Sequence, residues 1–416
     1  VPPNPAIIKF LESVVYGNRE GRLAQIVRIT LWILSGLYKL CLWGYRLPFR
    51  LKMRRRGRLN TPVISVGNLT LGGTGKTTAV RYLCNRLQSL GWRPSVLSYG
   101  YGGSLNGRFG IVSGKKGPVL KPEVAGDEPV MLASAMPGVP VIVCKNRSKS
   151  GKSAIKQFKS DLAVLDDGFQ AWKLKRDLDI VLVSADNPFD NGKTLPAGKL
   201  RETPKALRRA DCIMVTGVHK IERKEELLNL IRKYTKAPVY FAWFKPTGMV
   251  TLSGDFHLGV DDLKERKVFA LSSIANPLSF EQTLSRTGAE IVERERFPDH
   301  YMYSAEDAQR INWRAISDAV EFIVTTEKDA VKLKNHQFAV PVFTLKIDLD
   351  LDDEEGFWNL LNDRLGSSPS FQAGNKIFEN EMEAESGEAA TSEESGQNAP
   401  ANQTDTKNKA EEAAQA

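Results

Sequence analysis

Lys76 and Thr77 close the run Val63-Ile-Ser-Val-Gly-Asn-Leu-Thr-Leu-Gly-Gly-Thr-Gly-Lys-Thr-Thr78. A β-branched stretch gives way there to glycines, and Ala79-Val80-Arg81-Tyr82-Leu83 continues as a helix. Strand, glycine-rich turn and helix in that order make a phosphate loop. Gly72, Gly73, Thr74 and Gly75 let the backbone N–H groups turn inward around a phosphate, and the helix N-terminus adds a favourable dipole. In this pattern Lys76 reaches the β- and γ-phosphates of a nucleotide, the Thr77 hydroxyl ligates Mg²⁺, and Thr78 follows at the helix start. One departure stands out: Thr70 occupies the place where the motif has its first glycine.

Such a loop needs a carboxylate to organise the metal on a neighbouring strand. Asp161-Leu-Ala-Val-Leu-Asp166-Asp167-Gly168 supplies four apolar residues and then two acids, at the edge where open α/β sheets bind ligands. Asp166 would hold Mg²⁺ and Asp167 would assist. Gly126-Asp127-Glu128-Pro129 brings two further carboxylates, which on their own account for no more than the cap of a helix beginning at Pro129. His300, in Phe297-Pro-Asp-His-Tyr301, is one of four histidines and by itself reads as a structural loop residue.

The elements that must position these residues follow from hydrophobic periodicity. Short apolar runs at Val63–Val66, Ser95–Ser98, Pro140–Val143, Leu162–Leu165, Asp179–Val183 and Cys212–Val215 alternate with helical segments. This is the pattern of a doubly wound, mostly parallel α/β sheet. Val239–Phe244, Met249–Leu252, Lys267–Ser272 and Phe322–Thr326, with a helix at Leu278–Arg286, predict a second, smaller α/β domain. The expected organisation is an N-terminal amphipathic and polybasic segment (1–58), a P-loop domain (59–237), the smaller domain (238–366) and a tail (367–416). That tail lacks aromatic residues after Phe378 and is expected to be disordered.

Between Arg28 and Arg46, seventeen residues carry one charge, Lys39, and include Trp32, Tyr38, Trp43 and Tyr45. Arg46, Arg50, Lys52, Arg54, Arg55, Arg56 and Arg58 follow. An apolar helix with aromatic residues and a polybasic flank predicts an anchor on an anionic membrane surface rather than a span. Net charge is +9 although the tail from Lys376 is acidic, so the body suits an acidic partner. No nucleic-acid module is present, so a nucleic-acid partner is not expected, nor is an obligate protein partner. Cys41, Cys84, Cys144 and Cys212 lack metal or disulfide spacing.

Taken together, the motifs resemble the tetraacyldisaccharide 4′-kinase family. The resemblance rests on Val66–Thr77, Gly100-Tyr-Gly-Gly103, Gly126–Pro129, Asp166-Asp-Gly-Phe-Gln170, Leu174-Lys-Arg-Asp177, Leu195-Pro-Ala-Gly198, Leu200-Arg-Glu202, Asp299-His300 and Thr326-Glu-Lys-Asp-Ala-Val-Lys332, in that order. It implies an ATP- and Mg²⁺-dependent kinase acting on the 4′-hydroxyl of an acylated diglucosamine phosphate, peripheral on the cytoplasmic face of the bacterial inner membrane. It further implies that Asp127 is the base, supported by His300, and that Lys76, Thr77, Asp166 and Asp167 bind ATP and Mg²⁺. Glu128, Gln170, Arg201 and Glu202 would line the site. The chain departs from the family pattern at Thr78, Tyr99, Ala171 and Lys199, and Ser272-Ser-Ile-Ala-Asn-Pro277 replaces an Ala-Gly-Ile-Gly-Asn-Pro. Two alternatives stand beside the kinase: a membrane-associated nucleotide-switch ATPase, suggested by Gly72–Thr77, and a family relative with a changed acceptor or lost activity.

Overall fold

A computed structural model of the chain describes residues 10–11, 13–17, 19–114, 117–217 and 223–366; the acidic tail at 367–416 lies outside them. The first long element, α1 (Arg22–Arg50), is a helix of 29 residues, well beyond the apolar stretch that predicts it. One side carries Ser35 and Phe49, which are buried, whereas Leu23, Ile26, Trp32, Ile33, Leu37, Leu40 and Trp43 are more than half exposed.

The first half of the fold follows. Its elements are β1 (Val63–Asn68), α2 (Lys76–Ser89), β2 (Pro94–Ser98), β3 (Gly110–Ser113), α3 (Pro122–Ala125), α4 (Asp127–Ala135), β4 (Val141–Val143) and α5 (Arg147–Phe158), then β5 (Leu162–Asp166), β6 (Leu178–Ser184), β7 (Cys212–Thr216) and α6 (Lys224–Arg232). Every residue of β1, β5 and β7 is buried. A strand covered on both faces has no polar side to alternate, which is why these segments read as continuous apolar runs. β1 pairs in parallel with both β5 and β6, so the carboxyl ends of three neighbouring strands open on one edge.

The chain continues through β8 (Val239–Thr251), β9 (His257–Leu258), β10 (Lys267–Ser272), α7 (Pro277–Ser285), β11 (Glu290–Arg296), α8 (Ala305–Ser317), β12 (Phe322–Thr325), α9 (Glu327–Leu333), β13 (Val342–Leu351) and α10 (Glu354–Gly366). All thirteen strands join one sheet, ordered β11-β10-β12-β13-β8-β7-β6-β1-β5-β2-β4-β3, with β9 on β8. The strands expected at Val239–Phe244 and Met249–Leu252 are one continuous strand. β8 pairs in parallel with β7 through residues 239–242 and antiparallel with β13 along the rest of its length. The intervening Pro246-Thr-Gly248 is absorbed by an irregularity opposite Lys346 and Ile347 instead of breaking the strand. α10 returns to the first half: Phe357, Trp358, Leu361 and Leu365 share a core with Ile64, Val66, Val80 and Leu83.

Candidate active site

The phosphate loop forms where β1 ends and α2 begins. Gly75, immediately before α2, has φ 76°, and a Cβ there would sit 2.5 Å from the ring of Phe244 on β8. Only glycine fits both constraints. Two hydrogen bonds hold the turn: Asn68 Nδ2 donates to Thr74 Oγ1 at 2.9 Å, and Thr216 Oγ1 donates to the Thr74 carbonyl at 2.9 Å.

β5 presents Asp166 and Asp167 beside that loop. Asp167 takes φ 52°, a conformation rare for non-glycine residues, and turns its carboxylate to the cations. Arg201 Nη1 donates to Asp167 Oδ2 at 2.6 Å, and Lys76 Nζ stands 3.8 Å from Oδ1. Burial opposes the charge of Asp167, but Lys76 and Arg201 together outweigh it and hold the carboxyl below the usual range. Asp166 is buried; Ser98 Oγ donates to its Oδ2 at 2.9 Å, while Oδ1 has no hydrogen-bond partner. Burial first, then Glu128 and Asp167, pushes Asp166 up to about 6. A buried carboxylate oxygen without a partner, among other acids, fits a divalent cation. Among the described residues no three His, Cys, Asp or Glu cluster as a closed metal cage. An octahedral ion that takes one or two carboxylates and completes its shell with phosphate and water suits such a place.

At the other wall α4 of the first half meets His300 of the second. α4 begins at Asp127, two residues earlier than the sequence predicts, after Gly126 at φ 95°. Asp127 is thus the first helical residue; its Oδ1 accepts from the Glu128 N–H at 2.9 Å, and it pairs with His300, whose Nδ1 lies 3.0 and 2.9 Å from Oδ1 and Oδ2. His300 has φ 61°, and the ring of Tyr101 meets its imidazole edge-on at 5.8 Å. Burial works against the Asp127 carboxylate, yet the His300 hydrogen bond and the Lys328 charge bring it below the usual range.

One cavity of about 1450 Å³ unites these groups: its wall includes Gly72–Thr78, Glu128, Asp167, Gln170, Arg201 and His300. Tyr99 and Ala171 line it as well. Asp127, Asp166 and Glu202 stand behind the wall. Glu202 is almost fully buried and receives two hydrogen bonds from Arg209, at 2.7 and 3.1 Å, and one from Gln170 Nε2 at 3.2 Å. Arg46 of α1 approaches it at 2.8 Å, and Arg46, Arg56 and Arg209 each lie over the Trp172 ring. Glu202 thus joins the N-terminal helix to the loop carrying Arg201 instead of lining the cavity. Two functional residues escaped the motif reading. Lys328 donates to Asp299 at 2.9 Å and approaches Glu128 and His300, and Phe244 covers Gly75. Lys328 was visible as part of Thr326–Lys332, but nothing in that run says what it faces.

Comparison with known proteins bears on this arrangement. Residues 27–366 match the family model for tetraacyldisaccharide-1-P 4′-kinase. The tetraacyldisaccharide 4′-kinase of Syntrophus aciditrophicus is 39% identical over 320 residues, spanning 74% of this chain and 85% of that protein. Its counterpart in Geobacter sulfurreducens is 37% identical over 327 residues, spanning 79% and 90%. The crystal structure of Aquifex aeolicus LpxK in complex with ATP superposes with a TM-score of 0.67 at 31% identity, covering 82% of this chain and 99% of that one.

Proposed function

This chain belongs to the tetraacyldisaccharide 4′-kinase family, and we propose that the residues assembled around its cavity carry out that family's reaction. The protein is an ATP-dependent kinase of lipid A biosynthesis that phosphorylates the 4′-hydroxyl of a tetraacyldisaccharide 1-phosphate. Family membership sets aside the nucleotide-switch reading. The observation that carries the assignment of roles is the meeting of two remote elements: His300, paired with Asp127 just behind the wall, and the Gly72–Thr78 loop open onto one cavity.

In this reading Gly72–Lys76 hold the nucleotide phosphates through backbone N–H groups, and the Lys76 ammonium offsets charge on the γ-phosphoryl as it transfers. Asp127 accepts the proton of the 4′-hydroxyl as that oxygen bonds to γ-phosphorus and the bond to the β,γ-bridging oxygen breaks, leaving ADP. His300 donates Nδ1–H to Asp127 and holds its carboxylate toward the acceptor. Arg201 keeps Asp167 ionised and adjacent to Lys76. Thr77, Asp166 and Asp167 would hold Mg²⁺, which supplies charge neutralisation at the β- and γ-oxygens when bound. Glu128 and Gln170 complete the wall near the acceptor. We assign 59–237 to the nucleotide half and 238–366 to the smaller half. α1 seats the enzyme peripherally on the anionic cytoplasmic face of the inner membrane, where an acylated substrate resides.

The test is transfer from labelled ATP to the acylated disaccharide 1-phosphate, run beside direct ATP titration. Asp127→Asn is expected to lose about 10²–10⁴-fold in kcat with ATP affinity nearly unchanged. Lys76→Ala loses both turnover and ATP affinity. Wild-type turnover in Asp127→Asn would end the assignment of the base.

A further inference from the structure

Lys328 is in contact with all four members of the acceptor-side cluster. Its Nζ lies 2.9 Å from Asp299 Oδ1, 3.3 Å from His300 Nε2, 3.4 Å from Glu128 Oε1 and 3.8 Å from Asp127 Oδ2. Three ammonium protons meet three acceptors within hydrogen-bond reach. An ammonium only donates, so a hydrogen bond across the contact with Nε2 takes that nitrogen unprotonated. The single ring proton is then on Nδ1, where it meets both oxygens of Asp127. We propose that Lys328 is the positioning residue that holds His300 as its neutral Nδ1–H tautomer and so keeps Asp127 available as a base. This rests on the base assignment for Asp127 made above.

The charged surroundings make the role specific. α4 presents Asp127 and Glu128, the segment before α8 presents Asp299 and His300, and α9 presents Lys328 and Lys332. Asp127 favours a second proton on the imidazole, and so does Asp299, whose Oδ2 is 3.7 Å from Nε2. The hydrogen bond that His300 donates to Asp127 leaves the His300 pKa above its ordinary value, and burial and Lys328 oppose that rise. With imidazolium in place, the Asp127 carboxylate would be tied into an ion pair and would be a poorer base. Lys328 stays charged because Glu128, Asp127 and Asp299 outweigh its burial.

The base of α9 is built to hold this ammonium still. Thr326 caps the helix through Asp329, and the fully buried Asp329 and Lys332 side chains pair at 2.8 Å. Ser273 N donates to Asp329 at 2.9 Å, and its hydroxyl bonds to both Asp329 and Lys332. Ser273 stands where the family pattern has glycine, so this chain ties α9 to the loop after β10 with an extra hydroxyl.

The experiment compares the full-length enzyme with Lys328→Met and Lys328→Arg, measuring kcat/KM against pH, ATP affinity and the ¹⁵N shifts of His300 in histidine-labelled protein. In Lys328→Met, kcat/KM at neutral pH is expected to fall about tenfold or more with ATP affinity retained. Its acid limb moves to higher pH because the imidazole protonates more readily. Lys328→Arg keeps the limb near that of the wild type. In the wild-type enzyme at the working pH, Nε2 resonates as an unprotonated nitrogen. An unmoved acid limb in Lys328→Met overturns the proposal, as does a protonated Nε2 in the wild type, a measurement that needs no variant to fold. Full activity in Asp127→Asn would instead overturn the base assignment, so the two failures are separable.

Discussion

The hydroxyl of Tyr38 donates to the carbonyl oxygen of Arg201 at 2.9 Å, joining the exposed N-terminal helix to the residue whose guanidinium holds Asp167. Ser35 and Thr194 share a second hydrogen bond along the same seam, at 2.7 Å. The exposed apolar helix therefore also backs the loop that carries Arg201.

Glu202 is the electrostatic centre of that seam. Glu202→Gln leaves Arg46 and Arg209 facing each other without a counter-charge. Breaking a buried ion pair from one side costs about 3–5 kcal/mol, and the partial exposure of both arginines places this variant near the low end. Chemical denaturation reads the loss directly. A second readout is turnover, which should fall with it because Gln170, Arg46 and Arg209 are then left to share a single neutral amide oxygen.

Gly75→Ala introduces two separate penalties. The left-handed backbone disfavours any Cβ, and this Cβ meets the Phe244 ring. The variant is expected to lose ATP binding while the fold persists. Adding Phe244→Ala removes the clash but not the backbone strain, so isothermal titration should show partial recovery of ATP affinity. Full recovery would mean that the backbone at Gly75 carries no strain.

The start of α8 gives a pH signature. Ser304 and Asp307 form a capping box, and Asp307 also accepts from Tyr301 and Arg310. Burial works against the carboxylate, but the Ser304 bonds, Tyr301 and Arg310 hold its pKa down to about 2. A depressed folded pKa favours the native state above the unfolded value near 4 and ceases to do so as pH falls toward 2. Denaturation midpoints taken from pH 5 to pH 2 should therefore decline less steeply in Asp307→Asn than in the wild type. Ser304→Ala should cost about 1 kcal/mol at neutral pH.

For α1, the expected phenotype lies in membrane binding. Replacing Trp32, Ile33, Leu37 and Leu40 with serine removes large apolar side chains, each worth about 1.5–3 kcal/mol when fully buried. Flotation with vesicles containing anionic lipid should drop by orders of magnitude. Salt alone should weaken binding of the wild type only in part, by screening Arg50, Lys52, Arg54 and Arg55. Unchanged flotation in the quadruple variant would rule out this helix as the anchor.

The phosphate loop was legible in the sequence because its chemistry needs consecutive residues: a phosphate cradled by backbone N–H groups takes them from one short glycine-rich run. The strands β1, β5 and β7 were legible because burial on both faces demands unbroken apolar runs. Lys328 and Glu202 were not, since what they do depends on partners brought near only by folding. β11 escaped as well. Its alternation, Glu290-Ile-Val-Glu-Arg-Glu-Arg296, is that of a charged edge strand with little apolar signal. Pro246 and Gly248 misled in the other direction, since a proline at an irregular register step need not end a strand.

The return of α10 to the first half has a consequence for how this protein is made. Synthesis delivers β1, the phosphate loop and α2 long before residues 354–366, yet Phe357, Trp358, Leu361 and Leu365 complete the core behind them. The nucleotide half must therefore wait on the ribosome with one apolar flank uncovered, a situation that favours chaperone binding. A nonsense codon just before residue 354 would spare every residue lining the cavity and still strip the core behind the phosphate loop. The damage would surface some three hundred residues upstream of the lesion.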